Sequence, residues 1–247
     1  MVEDKEMMEA AEGTVLNIIK KRRSIRKYKD VGVEWDKVVQ ILEAGRFAPN
    51  AGNLQEWRFV VVTEKEIKRS IAEACLKQYW IETAPVIIVI CAMTEKPEQF
   101  YGERGRKVYT LENCAMAAEN MMLVATDLGL GSCVVGAFDE GMMINAVGIL
   151  PRAKPILVLT VGYADEKVPI PPKTVLETLV FLQKYQNRIK NPNMVLWDWS
   201  LQMEKYVKEA KGAAESGASK LHEKIKHHAA RLKEHIKKKM GKGEEES

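Results

Sequence analysis

Histidine is absent from the first 221 residues of the 247-residue chain, and all four stand late, at His222, His227, His228 and His235. Most of the chain therefore lacks the side chain that most often serves as general acid, general base or metal ligand near neutral pH. Cysteine is scarce as well. Cys75, Cys91, Cys114 and Cys133 lie 16, 23 and 19 residues apart, with no CxxC pair and no histidine beside any of them. That spacing argues against a zinc or iron–sulfur site, and the apolar context of each predicts a small buried thiol. Long hydrophobic runs are missing: the longest, Ala84 to Met93, has ten residues, against the roughly 20 of a membrane-spanning helix. The opening MVEDKEMMEA is acidic and lacks the basic-then-apolar order of a signal peptide, so the expectation is a cytoplasmic protein. There is no Walker loop, no GxSxG nucleophile elbow and no GxGxxG following a strand. GLGSCVVG is glycine-rich, but it follows a helical pattern and so makes a poor dinucleotide or phosphate loop.

The net charge of +4 is unevenly spread. Residues 181–247 hold 15 Lys and Arg against 9 Asp and Glu, and the remainder of the chain is slightly acidic. Within that basic part, Leu221, Ile225, Ala229, Leu232, Ile236 and Met240 fall at helical spacing among lysines and histidines, which predicts an amphipathic basic helix. The final GKGEEES has the composition of a disordered end. A basic tail of this kind suits packing on the protein itself, an anionic surface or another helix.

Upstream, Val15, Leu16, Ile18 and Ile19 predict a helix running into KKRRSIRKY at 20–28. Val38, Ile41, Leu42 and Ala44 predict a second helix, stopped by Gly45 and Pro49. The turn-rich APNAGNLQE at 48–56 leads into the strand WRFVVVT at 57–63. A charged helix over about 64–78 precedes PVIIVICAM, a strand apolar on both faces and so central to its sheet. The segment from about Val108 to Leu130, rich in Ala, Met and Leu, predicts a helix buried on nearly all sides and ended by Gly129, with Met116, Met121 and Met122 filling core or interface. A short SCVVGAFD stretch and a strand at 156–164 come next. Strands and helices mix without a regular βαβ repeat, which indicates an α+β fold.

Arg22, Arg23, Ser24 and Arg26 place forked guanidinium donors and a hydroxyl within five residues, the donor set that a phosphate needs. A solvated cationic helix end is the plainer alternative. Asn50, Asn53 and Gln55 offer amides that suit a heterocycle's mixed donors and acceptors. The glycines of LGLGSCVVGAFDE let backbone N–H groups come close to a ligand plane.

Taken in order, RRS-x-R, the PNAGNLQEWRF loop, the apolar helix ending in LGLG and the GAFD segment make the chain resemble the FMN-dependent nitroreductase family over residues 14–180. The resemblance implies a mostly antiparallel central sheet flanked by helices around a buried central helix, in an interlocked homodimer. It divides the chain into an FMN-binding domain at 1–180 and a basic helical extension at 181–247. It also implies that Arg22, Arg23 and Ser24 hold the FMN phosphate and ribityl chain and that Arg26 faces the pyrimidine side of the flavin. Pro49, Asn50, Ala51, Asn53 and Gln55 would reach the partner's flavin, and Val134, Val135, Gly136 and Ala137 would lie along the ring. Lys173 stands where the family has a second phosphate-binding arginine, and a lysine there lacks the bidentate fork. Glu56 replaces the family's usual proline, which predicts a change in loop rigidity and a negative charge near the pocket mouth. Lys77 and Trp80 are further candidates for the pocket lining, and Trp197 and Trp199 for anchoring the extension.

The activity implied by the resemblance is hydride transfer from NADH or NADPH to FMN and reduction of a small oxidant such as a nitroaromatic or quinone, without a metal and without a catalytic acid–base side chain. Reductive dehalogenation and flavin fragmentation use the same scaffold. The rival reading from another class is a non-catalytic flavin or nucleic-acid binding protein acting through its basic tail. The globular part does not favour nucleic acid or membrane as a partner.

Overall fold

The computed structural model describes residues 15–188 together with Lys226, Ala229 and Ala230, these last three helical. The described residues fall into two units, one ending at Ile170 and the other beginning at Pro171. The first is α+β, with a four-stranded antiparallel sheet in the order β1-β2-β4-β3. The strands are β1 (Trp57–Val62), β2 (Val86–Ala92), β3 (Gly131–Val135) and β4 (Lys154–Gly162).

Strand β2 shows why the sheet has helices on both faces. All seven of its residues are buried, and they alternate between two apolar clusters. Val86, Ile88, Ile90 and Ala92 join the cluster containing Val38, Ile41, Met121 and Ala125. Ile87, Val89 and Cys91 join the opposite one, with Ile71, Cys75, Ile81 and Met143. A strand that must bury both faces reads as an unbroken apolar run rather than an alternation. Centrally, Val89 is flanked by Val60 of β1 and Val158 of β4.

Helices α2 (Trp35–Arg46) and α5 (Thr110–Asp127) cover the first face, and α3 (Lys65–Ala74) and α6 (Glu140–Val147) the second. Helix α1 (Val15–Lys21) precedes them, and α4 (Glu95–Arg104) joins α5 through one π-helical turn at Gly105–Tyr109. Helix α5 is the expected central helix, with Cys114, Ala117, Ala118, Met121, Met122 and Ala125 buried. It is not covered all round, since Leu111, Glu112 and Ala115 are exposed.

Several boundaries correct the sequence reading. Gly45 does not stop α2 but lies inside it and is buried. A Cβ there would sit 2.1 Å from Met121 Cε and 3.1 Å from a ring carbon of Phe59, so the glycine lets α2 press close against α5 and β1. The SCVVGAFD stretch contains a strand, β3, which makes the sheet four-stranded rather than three-stranded. Helices α4 and α6 had no counterpart in the sequence reading; Asp139 caps α6 by accepting from the Met142 N–H at 2.7 Å. Gly129 does lie just past the end of α5, with a φ of 75°.

The second unit holds a short helix, α7 (Leu176–Leu179), and a bridge between Phe181 and Arg188. Trp197, Trp199, all four histidines and the amphipathic stripe except Ala229 lie outside the described residues. No described helix is long and apolar enough to cross a membrane.

Candidate flavin site

The basic cluster leaves α1 and immediately pairs with β3. Ser24 bridges Ser132, and the Ile25 N–H donates to the Ser132 carbonyl at 3.0 Å. Ile25 is buried and fills the space above Gly131, where a Cβ would lie 2.7 Å from Ile25 Cγ1. Tyr28 secures the far end: its hydroxyl donates to the Ile25 carbonyl at 2.7 Å and lies 2.7 Å from Thr160 Oγ1 on β4. Burial pushes the Tyr28 phenol well above its ordinary range, so it stays a neutral hydrogen-bonding group.

This anchoring leaves two charged Nε donors without a hydrogen bond. Arg22 Nε and Arg23 Nε are buried and make no hydrogen bond, and the neighbouring Ser132 Oγ is in the same state. Arg22 Nε does lie 3.7 Å from Glu119 Oε1 of α5, while the Arg23 guanidinium donates through Nη1 to the Lys20 carbonyl at 2.7 Å. Burial keeps the Cys133 thiol above its ordinary pKa, against the opposing influence of the nearby Arg26, Ser24 and Arg22. Buried guanidinium nitrogens without a hydrogen bond fit an anion with several oxygens, which is the chemistry of a phosphate ester.

Arg26 is exposed, and its guanidinium carbon lies 5.9 Å from the centre of the Trp80 ring. Trp80 thus reaches the cluster. The turn that delivers it carries two successive left-handed residues, Leu76 and Lys77, with φ of 59° and 61°. Glu166, which the sequence reading did not single out, accepts at Oε1 from the backbone N–H groups of Arg26 at 2.5 Å and Lys27 at 3.0 Å. Lys27 Nζ meets Asp165 at 2.8 Å.

The amide-rich loop forms a second group. Ala51–Asn53 is a single 3₁₀ turn, and Gly52, Asn53 and Gln55 are left-handed, with φ of 58°, 54° and 49°. Its amides are partly engaged with the loop itself. Asn50 Oδ1 accepts from the Gln55 N–H at 3.1 Å, Gln55 Nε2 donates to Asn53 Oδ1 at 3.0 Å, and Asn50 Nδ2 donates to the Ala48 carbonyl at 3.3 Å. Pro49, Asn53 and Gln55 are nonetheless exposed. Glu56 is a correction to the expected charge at the pocket mouth: its relative exposure is 0%.

The third group is the end of β3 and its exit. Val135 is buried, whereas Val134, Gly136 and Ala137 are exposed. A Cβ on Gly136 would meet only Leu157, at an ordinary 3.6 Å.

Residues 22–26 and 134–137 therefore come together on and beside β3. Among the described residues, no hydrogen bond, ion pair or ring contact joins either of them to residues 49–55. Lys173 is exposed and belongs to the second unit. Sequence reasoning missed Glu119, Ser132 and Glu166, whose roles arise only once β3, β4 and α5 are assembled. Among the described residues there is no cluster of His, Cys, Asp and Glu able to hold a metal ion. The four cysteines are free and buried, as expected. Burial pushes the thiols of Cys75 and Cys91 up to about 11, and burial with the Glu56 and Cys91 charges pushes that of Cys114 up to about 12.

Comparison with known proteins places these features in a family. The model of the nitroreductase family matches residues 19–83 and 74–163. An Archaeoglobus fulgidus protein named for NADH dehydrogenase/NAD(P)H nitroreductase activity is 32% identical over 157 residues, 62% of this chain and 87% of that protein. The FMN reductase [NAD(P)H] of Bacillus subtilis is 26% identical over 187 residues, 70% of this chain and 75% of its own length. Among solved structures, an FMN-dependent nitroreductase of Clostridium difficile superimposes with a TM-score of 0.61 at 28% identity, covering 69% of this chain and 99% of the other. The antiparallel sheet, the buried central helix and the order of the motifs agree with that match, and the chain belongs to the nitroreductase family.

Proposed function

We propose that this chain is an FMN-dependent oxidoreductase that takes electrons from NADH or NADPH and passes them to a small oxidant, such as a nitroaromatic or a quinone, by a ping-pong mechanism. The reading is carried by the buried Nε atoms of Arg22 and Arg23 beside Ser24, which make no hydrogen bond and form a donor set suited to a polyoxyanion. FMN, when bound, would supply the two-electron redox chemistry that links a nicotinamide hydride donor to the oxidant.

The chain's own residues hold and orient it. Arg22, Arg23 and Ser24 receive the phosphate and ribityl chain. Arg26, steadied against Trp80, faces the pyrimidine side and stabilises negative charge there. Val134, Val135, Gly136 and Ala137 present a backbone edge to the ring, with Gly136 leaving the approach open. Pro49, Asn50, Ala51, Asn53 and Gln55 reach the flavin of a second copy. Residues 1–180 form the FMN-binding domain and residues 181–247 a basic extension. No residue of this set has to donate or remove a proton for hydride transfer.

A visible spectrum of the purified protein tests the reading directly. A flavin band bleached by NADH or NADPH and restored by a nitroaromatic or quinone is the expected result. A colourless protein that cannot be loaded with FMN and binds DNA in a salt-sensitive way would replace it with the nucleic-acid reading.

A further inference from the structure

Glu56 holds the position where the family usually has proline, and the surroundings explain how an acidic residue serves there. Its side chain is fully buried, a costly place for a carboxyl group that general packing would not select. Its Oε1 accepts from Asn113 Nδ2 at 2.7 Å, while Oε2 has no partner. Accepting at Oε1 fixes which way the Asn113 amide faces, because only the NH₂ end can donate. The other end, Asn113 Oδ1, is thereby turned to accept the backbone N–H of Ala51 at 3.2 Å. Asn113 is itself buried in α5, and the Glu56 carbonyl accepts from the Met93 N–H at 2.9 Å at the end of β2. The result is a strut running from the sheet edge through α5 to the backbone of the loop.

Gln55 supplies the second observation. Its φ of 49° is left-handed, whereas a residue preceding proline is driven toward extended conformations. With glutamate at 56, Gln55 can adopt the turn from which its N–H reaches Asn50 Oδ1 and its side chain reaches Asn53 Oδ1. Proline at 56 would rigidify a loop of another shape.

We propose that Glu56, acting through Asn113, is a positioning residue that fixes the amide-rich loop for flavin binding in place of the missing proline. The proposal rests on residues 49–55 facing a flavin, as the proposed function has them.

The test uses the full-length protein and measures two quantities. One is hydrogen exchange at the Ala51 amide in the flavin-free protein, and the other is the dissociation constant for FMN together with the flavin's visible absorption envelope. Removing a hydrogen bond of this type in Glu56→Ala is expected to raise Ala51 exchange and weaken FMN binding, each about tenfold, and to shift the envelope. Glu56→Gln keeps an acceptor for Asn113 and should restore both. Asn113→Ala should match Glu56→Ala, and the double variant should be no worse than either single one. If Glu56→Ala does not fold, Asn113→Ala carries the same readouts. Unchanged Ala51 exchange overturns the strut. Faster exchange with unaltered FMN affinity and spectrum, even alongside a lower melting temperature, overturns the positioning role and leaves only a packing one. Failure of the wild-type protein to bind FMN overturns the reading of the site itself, and is recognised without any variant.

Discussion

Arg22 and Ser24 bring a guanidinium and a hydroxyl to the stretch where the chain crosses onto β3, and neither side chain supplies the hydrogen bonds that hold that crossing. The Ile25 N–H and the Tyr28 hydroxyl do that. Replacing both in Arg22→Ala/Ser24→Ala is therefore expected to weaken FMN retention by about 1 to 3 kcal/mol for each lost contact while leaving the fold intact. Gel filtration of the loaded variant measures this, and stoichiometric FMN in the protein peak would show that the phosphate is held elsewhere. The residue types of this cluster were legible because forked donors crowd into five positions. Glu166 was not legible, since the carboxylate that accepts from the Arg26 N–H lies 140 residues away. The fate of Glu56 was misjudged for a related reason: an acidic residue in a turn-rich segment reads as surface, and only the placement of Asn113 on α5 gives it a buried partner.

At the scale of elements, the cradle keeps its shape through the contact between β3 and the segment after α1. Gly131→Ala would push a Cβ into the branched Ile25 side chain, which cannot swing aside as an unbranched one would. The expected outcome is a loss of about 1 to 3 kcal/mol in stability, with weaker FMN binding although Gly131 carries no binding group. Denaturant melts with and without FMN separate the two effects; FMN affinity equal to wild type would mean that the cradle tolerates the shift. Long periodic segments such as α5, and apolar runs such as β2, were readable in advance. The five-residue β3 was not, because GSCVV comes directly after a helix stop and is too short to show a period. Helix α4 escaped for lack of an apolar stripe, its only buried residue being Pro97. Gly45 was read as a stop because glycine usually punctuates, whereas here the tight approach of α2 to Met121 requires it.

For the whole molecule, the outer surface carries apolar groups that a lone copy leaves in water. Val15 and Leu16 of α1 are 66% and 57% exposed, and Phe47 after α2 and Phe100 of α4 are 71% and 65% exposed. Apolar exposure at several positions fits self-association, and a loop at 49–55 that makes no hydrogen bond, ion pair or ring contact with residues 22–26 or 134–137 fits the proposed site completed by another copy. Light scattering is expected to give twice the monomer mass of 27.9 kDa for the FMN-loaded protein. A holoprotein of monomer mass would sink the shared-site reading. The α+β class and the layered sheet were legible from β2, whose double burial demands cover on both sides. An assembly of copies would leave no local signature, since a helix at an interface shows the same apolar stripe as a core helix.

The four thiols have a use set by where they sit. Cys75 ends α3, Cys91 lies in β2, Cys114 in α5 and Cys133 in β3, so each marks a different element, and all are buried. A thiol reagent reacts with the thiolate, which burial suppresses. Labelling of the native protein then reports how often each element opens rather than how many cysteines it has. Pulse alkylation combined with peptide mapping turns the chain into its own four-channel recorder of local opening, without a single engineered probe.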